Sequence, residues 1–156
     1  MLAEVQNYIA ALRDRRADLL QTLTDLNGDA LNWRPLAEDA NSLYALAVHS
    51  LGAERRWVHE WIGGRTIDRD RAAEFRARGE DVPVLRAQSE TVARDSEAIL
   101  AQLTEPDLEQ LRGDPGRLHS VRYCIVHVLE HYNEHLGQMR LTRQLWENRR
   151  ARPQEI

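Results

Sequence analysis

Apolar residues recur at three- and four-residue steps through four long stretches of this chain, and that period constrains its fold more than any other feature. In the first stretch, about residues 2–26, the stripe runs Leu2, Val5, Ile9, Leu12, Leu19, Leu23 and Leu26, and Asn27-Gly28 closes it. Arg16 falls where an apolar side chain is expected. Either the stripe drifts onto Ala17 and Leu20 while Arg16 snorkels, or Arg16 turns inward to bind an anionic substrate group. A connector of about residues 27–40 carries Trp33-Arg34-Pro35. Asn41 or Ser42 then caps a second helix that runs to about Ile62, with Gly63-Gly64 as its stop.

Residues 65–82 are charged and form the longest connection, with room for a short helix over Arg71 to Arg78. The third long helix starts near Pro83 and reaches about Leu103. Its seam of Leu85, Val92, Ile99 and Leu103 is interrupted by Gln88 and Ser96. Thr104 to His119 contains Pro106, Gly113, Pro115 and Gly116 and reads as loop and turn. Ser120 caps a fourth helix over about 121–148. β-branched and aromatic residues are sparse, and Ala, Leu, Arg and Glu dominate. These features predict an all-α fold: one four-helix-bundle domain over residues 1–156, with a long connection between its second and third long helices.

Composition removes several chemistries. The net charge of −4 gives no electrostatic reason to expect nucleic acid. The basic group Arg149, Arg150, Arg152 reads as a solvated helix end. All 21 basic residues are Arg, which excludes a Schiff-base lysine and a phosphate-binding loop lysine. With Cys124 as the one cysteine there is no intrachain disulfide, and its expected role is packing. No stretch approaches eighteen apolar residues, and the N-terminal stretch lacks the uncharged core of a signal peptide, so a cytoplasmic protein without a membrane span is expected.

The fourth stripe passes through Val121, Cys124, Val128, His131, His135 and Thr142. His131 and His135, spaced i, i+4, share one helix face and suit a single transition metal. His49, between Val48 and Leu51 on the second helix, is a third candidate ligand, since mid-helix positions on packed helices converge in a bundle. No histidine has Glu three residues before it, which excludes carboxylate-bridged dimetal bundles. His127 continues the row, but it lies two turns from His135, about 12 Å along the axis, and is expected to support rather than ligate. His59 lies about 80° off the His49 face in α-helical geometry and is expected to be exposed; His119 falls in the loop. Glu130 and Glu134 read as flanking carboxylates, with Glu134 a candidate to move a proton. Gln138, one turn beyond His135, is a candidate to hydrogen-bond a ligand.

Asn41-Ser42-Leu43, Val48-His49 and the closing His131-x-x-x-His135-Leu136-Gly137-Gln138, with the Trp33-Arg34-Pro35 connector and the segment Glu54 to Trp57, resemble the DinB/YfiT-like metalloenzyme superfamily over nearly the whole chain. The resemblance implies His49, His131 and His135 as ligands of a divalent transition metal, zinc or nickel, in a four-helix bundle that is commonly a homodimer. Trp57, Trp61 and Trp146 are expected to add apolar surface for such a dimer. Characterised branches of the superfamily include S-transferases that use low-molecular-weight thiols such as bacillithiol and mycothiol. A metal-dependent enzyme joining a small thiol to another small molecule is therefore the leading expectation. A metal-dependent hydrolase, or a non-catalytic stress protein binding metal or a small ligand, is the alternative. Members often carry Arg before the closing Gly-Gln, where this chain has Leu136.

Overall fold

In the computed structural model, which describes residues 1–36 and 38–151, four long helices pack in a closed ring. They are α1 (Ala3–Thr22), α3 (Leu43–Glu54), α5 (Pro83–Leu100) and α7 (Val121–Ala151), each against two neighbours in the order α1, α7, α3, α5. The short helices α2 (Gly28–Asn32), α4 (Arg71–Arg76) and α6 (Glu105–Leu108) sit in the connections. Arg152 lies outside the described residues. Among the described residues, no helix is long and apolar enough to cross a membrane.

Local chemistry explains most of the boundaries. Ser42 opens α3 by accepting from Ala45 N–H, and Ser120 opens α7 by accepting from Tyr123 N–H. Gly64, at φ 66°, provides the left-handed stop after Ile62. The first helix ends earlier than its stripe predicts. It stops at Thr22, Asp25 takes the left-handed conformation at φ 62°, and Asn27 caps α2 instead of closing α1. The stretch expected to be loop after Thr104 holds α6 and an antiparallel hairpin, β1 (Leu111–Asp114) paired with β2 (Arg117–Ser120). Gly113 is required in that hairpin, because a Cβ there would stand 2.1 Å from the Arg117 carbonyl oxygen.

α3 is buried on nearly every side, which its mostly apolar sequence permits. Beyond Glu54 it continues as a π-helix over Arg55–Ile62. The i→i+5 turn is wider by about one residue and shifts the angular phase of the side chains beyond it. His59 is thereby turned onto α5, where it is buried within 3.0 Å of Ser96 Oγ and 3.3 Å of the Val92 carbonyl. The expectation that it is exposed fails for that reason. The true seam of α5 runs Leu85, Ser89, Val92, Ser96, Leu100, so Ser96 faces inward while Gln88 is exposed.

Arg16 keeps its place in the α1 stripe and is buried. Its guanidinium meets the fully buried Glu54 at 2.7 Å and Glu97 at 3.3 Å. Tyr132 donates to the other Glu54 oxygen at 2.7 Å. Arg16 therefore neither snorkels nor reaches a substrate; it ties α1 to α3 and α5. Trp57 and Trp61 also depart from expectation. Both are buried within the chain, at 6% and 7% exposure, so they supply no free surface for a dimer. Trp146 is half-buried and faces Trp33, with ring centres 5.6 Å apart.

Candidate metal centre

The buried seam of α7 is Val121, Cys124, Ile125, Val128, Tyr132, Leu136 and Met139. His131 and His135 each precede a seam residue and so lie about 100° round the helix, half-buried on the flank instead of in the core. Leu136 is a core residue at 2% exposure. The flank faces α3, where His49 is buried. The Nε2 atoms of His49 and His135 lie 3.1 and 3.2 Å from His131 Nε2, and the three form one group whose ligand atoms all fall within 4.8 Å of one another. Nitrogens bound at about 2.0–2.1 Å to one tetrahedral ion stand roughly 3.3 Å apart, so the spacing suits a single metal.

The opposite ring nitrogens agree with that use. His49 Nδ1 lies 2.8 Å from Glu74 Oε2, and His135 Nδ1 lies 3.0 Å from Gln138 Oε1. Each Nδ1 carries the proton its acceptor requires, which leaves the Nε2 lone pairs of both rings aimed at His131 Nε2. His131 has at most one proton to offer there, and its own buried Nδ1 has no hydrogen-bond partner among the described residues. Three converging imidazole nitrogens with more lone pairs than protons fit a cation. The two α7 rings are also shifted toward the neutral form. Burial, then the neighbouring imidazoles of His135, His49 and His127, pushes His131 down to about 3. Burial likewise lowers His135, against the opposing effect of the hydrogen bond it donates to Gln138.

Sequence reasoning missed Glu74. It stands on α4, a six-residue helix capped by Asp70, which accepts from Ala73 N–H. Burial raises the Glu74 carboxyl, but the hydrogen bonds from Arg69 and His49 outweigh it and hold the group below the usual carboxylate range. Arg69 grips both oxygens, at 2.7 and 2.8 Å. Gly52 on α3 makes room, since a Cβ there would come within 2.0 Å of Glu74 Oε1. The Asp70 cap before a run of Ala and Arg was a visible sign of a short helix, but nothing in a 25-residue separation announces contact with His49.

Of the other candidates, Gln138 touches His135 as expected. Glu130 and Glu134 lie on the outer side of α7 and reach the site only through charge, both raising His127 and Glu134 also raising His135. His127 packs on Trp57 with ring centres 4.1 Å apart and planes tilted by 41°, and it sits 6.2 Å from the His131 ring, outside the converging group. Cys124 is buried, and burial pushes its thiol up to about 11, as packing requires.

A protein-family comparison decides the affiliation: the mycothiol-S-transferase pattern matches residues 8–148. The chain belongs to the mycothiol-S-transferase family. Solved structures of similar fold include a conserved protein of Enterococcus faecalis, with a TM-score of 0.74 at 16% identity over 93% of this chain and 98% of that one. A DinB-like protein from Bacillus cereus gives 0.71 at 16% identity over 91% and 92%. A DinB-like protein from Bacillus subtilis gives 0.65 at 22% identity over 92% of each chain. At those identities they support the DinB-like fold of this mycothiol-S-transferase family member. No curated protein matches the chain.

Proposed function

We propose that this mycothiol-S-transferase family member holds a divalent transition metal, zinc or nickel, on His49, His131 and His135, and joins a low-molecular-weight thiol to an electrophilic small molecule. The observation that carries the proposal is the convergence of three Nε2 atoms, two of them on rings whose Nδ1 is already committed to Glu74 or Gln138. A bound divalent ion supplies positive charge that lowers the pKa of a thiol, and three imidazole ligands leave it positions for other groups. In the transfer, the thiol S–H proton leaves to solvent and a sulfur lone pair forms the new S–C bond. The electrophile's leaving group departs with the electrons of the bond that breaks.

The chain's own residues position these events. Glu74 fixes the His49 tautomer and, as a carboxylate, makes that ring a stronger donor. Gln138 orients His135 in the same way without adding charge. Glu134, exposed and next to His135 in sequence, acts on that ring through its charge. The family affiliation also favours a homodimer in the cytoplasm; a solution mass of 18.0 kDa across micromolar concentrations would remove the dimer.

Elemental analysis of protein purified without an affinity tag tests the metal, and a thiol–electrophile screen with the metal restored tests the reaction. The expected result is one ion per chain and thiol-dependent turnover, both lost in His131→Ala. Full metal and full activity in that variant would place the chemistry elsewhere.

A further inference from the structure

Beside the triad, His49 and His131 open onto a cavity of about 400 Å³. Its wall carries Arg56, Arg69, Arg71 and Arg117 against one acid, Asp114. This concentration of cations stands in a chain whose net charge is −4. Two of the four are paired with acids: Arg56 with Asp114 at 2.6 Å and with Glu60, and Arg69 with Glu74. The other two have no ion-pair partner among the described residues, and both are held by aromatic faces. Arg71 lies 5.0 Å over Phe75, whose ring is 4.2 Å from that of His49. Arg117, on β2, lies 5.6 Å over Trp57 and 5.9 Å over Trp61.

An aromatic face orients a guanidinium without consuming its charge or its hydrogen-bond donors. Arg71 and Arg117 therefore approach the cavity from two separate elements, with donor forks free for an oxyanion. Trp57 and Trp61, which carry Arg117 on their faces, also line the cavity.

We infer that this cavity takes the electrophilic partner of the reaction, and that the partner is a small organic anion whose carboxylate or phosphate is held by Arg71 and Arg117. The inference rests on the triad being the reacting centre, and it adds the charge class of the second substrate.

Calorimetric titration of the metal-loaded protein with 2-naphthoate, 2-naphthyl phosphate and the neutral 2-naphthamide tests it. One or both anions should bind at least tenfold more tightly than the amide, and the preferred anion identifies the headgroup. The Arg71→Gln/Arg117→Gln double variant should lose that preference while keeping its metal content and its melting temperature. The His135→Ala variant, which lacks a metal ligand but keeps both arginines, should retain anion binding within about threefold. Equal binding of anion and amide, or an anion preference that survives the double arginine variant, overturns the inference. Anion binding lost only in His135→Ala also overturns it, since the anion would then be ligating the metal. A wild-type protein that holds no metal yet shows arginine-dependent anion binding would sink the triad reading and leave the anion site standing.

Discussion

Arg16 and Glu54 form an ion pair whose two halves fail differently when separated. Glu54→Gln keeps the shape and the Tyr132 contact but leaves a buried guanidinium facing only Glu97, at 3.3 Å. Removing one partner of a buried pair costs about 3–5 kcal/mol. The remaining contact with Glu97, itself one-third exposed, favours the lower end, about 3 kcal/mol. For a chain of this length that lowers the melting temperature by roughly 6–12 °C. Arg16→Met is different because the group left behind can take up a proton. Burial already raises the Glu54 carboxyl, and the Arg16 charge is the first influence opposing that rise. Without Arg16 its folded-state pKa climbs further above the value of 4.5 it has without the fold's influence. Between those two values the folded state holds a proton that the unfolded state has lost, so stability increases as pH falls. Urea denaturation of both variants and the wild type at pH 8, 6.5 and 5.5 should show the Arg16→Met deficit shrinking toward acid pH. The Glu54→Gln deficit should show no such narrowing. The double variant, with no charge left buried at this point, should be more stable than Glu54→Gln alone. Glu54→Gln within about 0.5 kcal/mol of wild type at every pH would refute the reasoning, since a desolvated guanidinium without its main partner cannot be that cheap.

Gly52→Ala should push the Glu74 carboxylate off His49 and weaken metal affinity by about 10–100-fold while the bundle still folds, read by competition with a chelator. Unchanged affinity would mean that Glu74 does not support the ligand. His127→Ala should keep one metal per chain, because its ring lies outside the converging group; loss of the ion would show that the ligand set is misassigned. Cys124 should stay inert to a disulfide reagent at pH 8 in the native protein and react only after unfolding, since burial holds its thiol near 11. Rapid native labelling would contradict its packing role.

The bundle and the three histidines were legible because both depend on period. A helix repeats every 3.6 residues, so the apolar stripes, the Ser42 and Ser120 caps and the His131–His135 spacing translate directly into faces. His59 and Arg16 were misjudged for related reasons. A π-helical turn has no periodic signature in Arg55–Ile62, and it moves His59 onto α5. A charged residue in a stripe reads as an interruption until its partner, 38 residues away in Glu54, is known. The hairpin strands are four residues each, too short to show alternation against the Gly113, Pro115 and Gly116 turn signals. Glu74 and the cationic wall come from contacts between elements far apart in sequence, which local pattern does not encode.

The connection between Gly63 and Val82 lies outside the four long helices but packs through α4 against α3, and Arg69, Arg71, Glu74 and Phe75 all come from it. The part of the chain that tunes one ligand and lines this side of the cavity is thus a connection between long helices, anchored on α3 by α4 and on Asn32 through Gly79. Exchange of this segment between relatives would change which molecules the centre accepts while the histidines and the core stay as they are. A library randomised across residues 65–82, with Glu74 and its Arg69 clamp kept, is accordingly the economical place to seek altered selectivity in this scaffold.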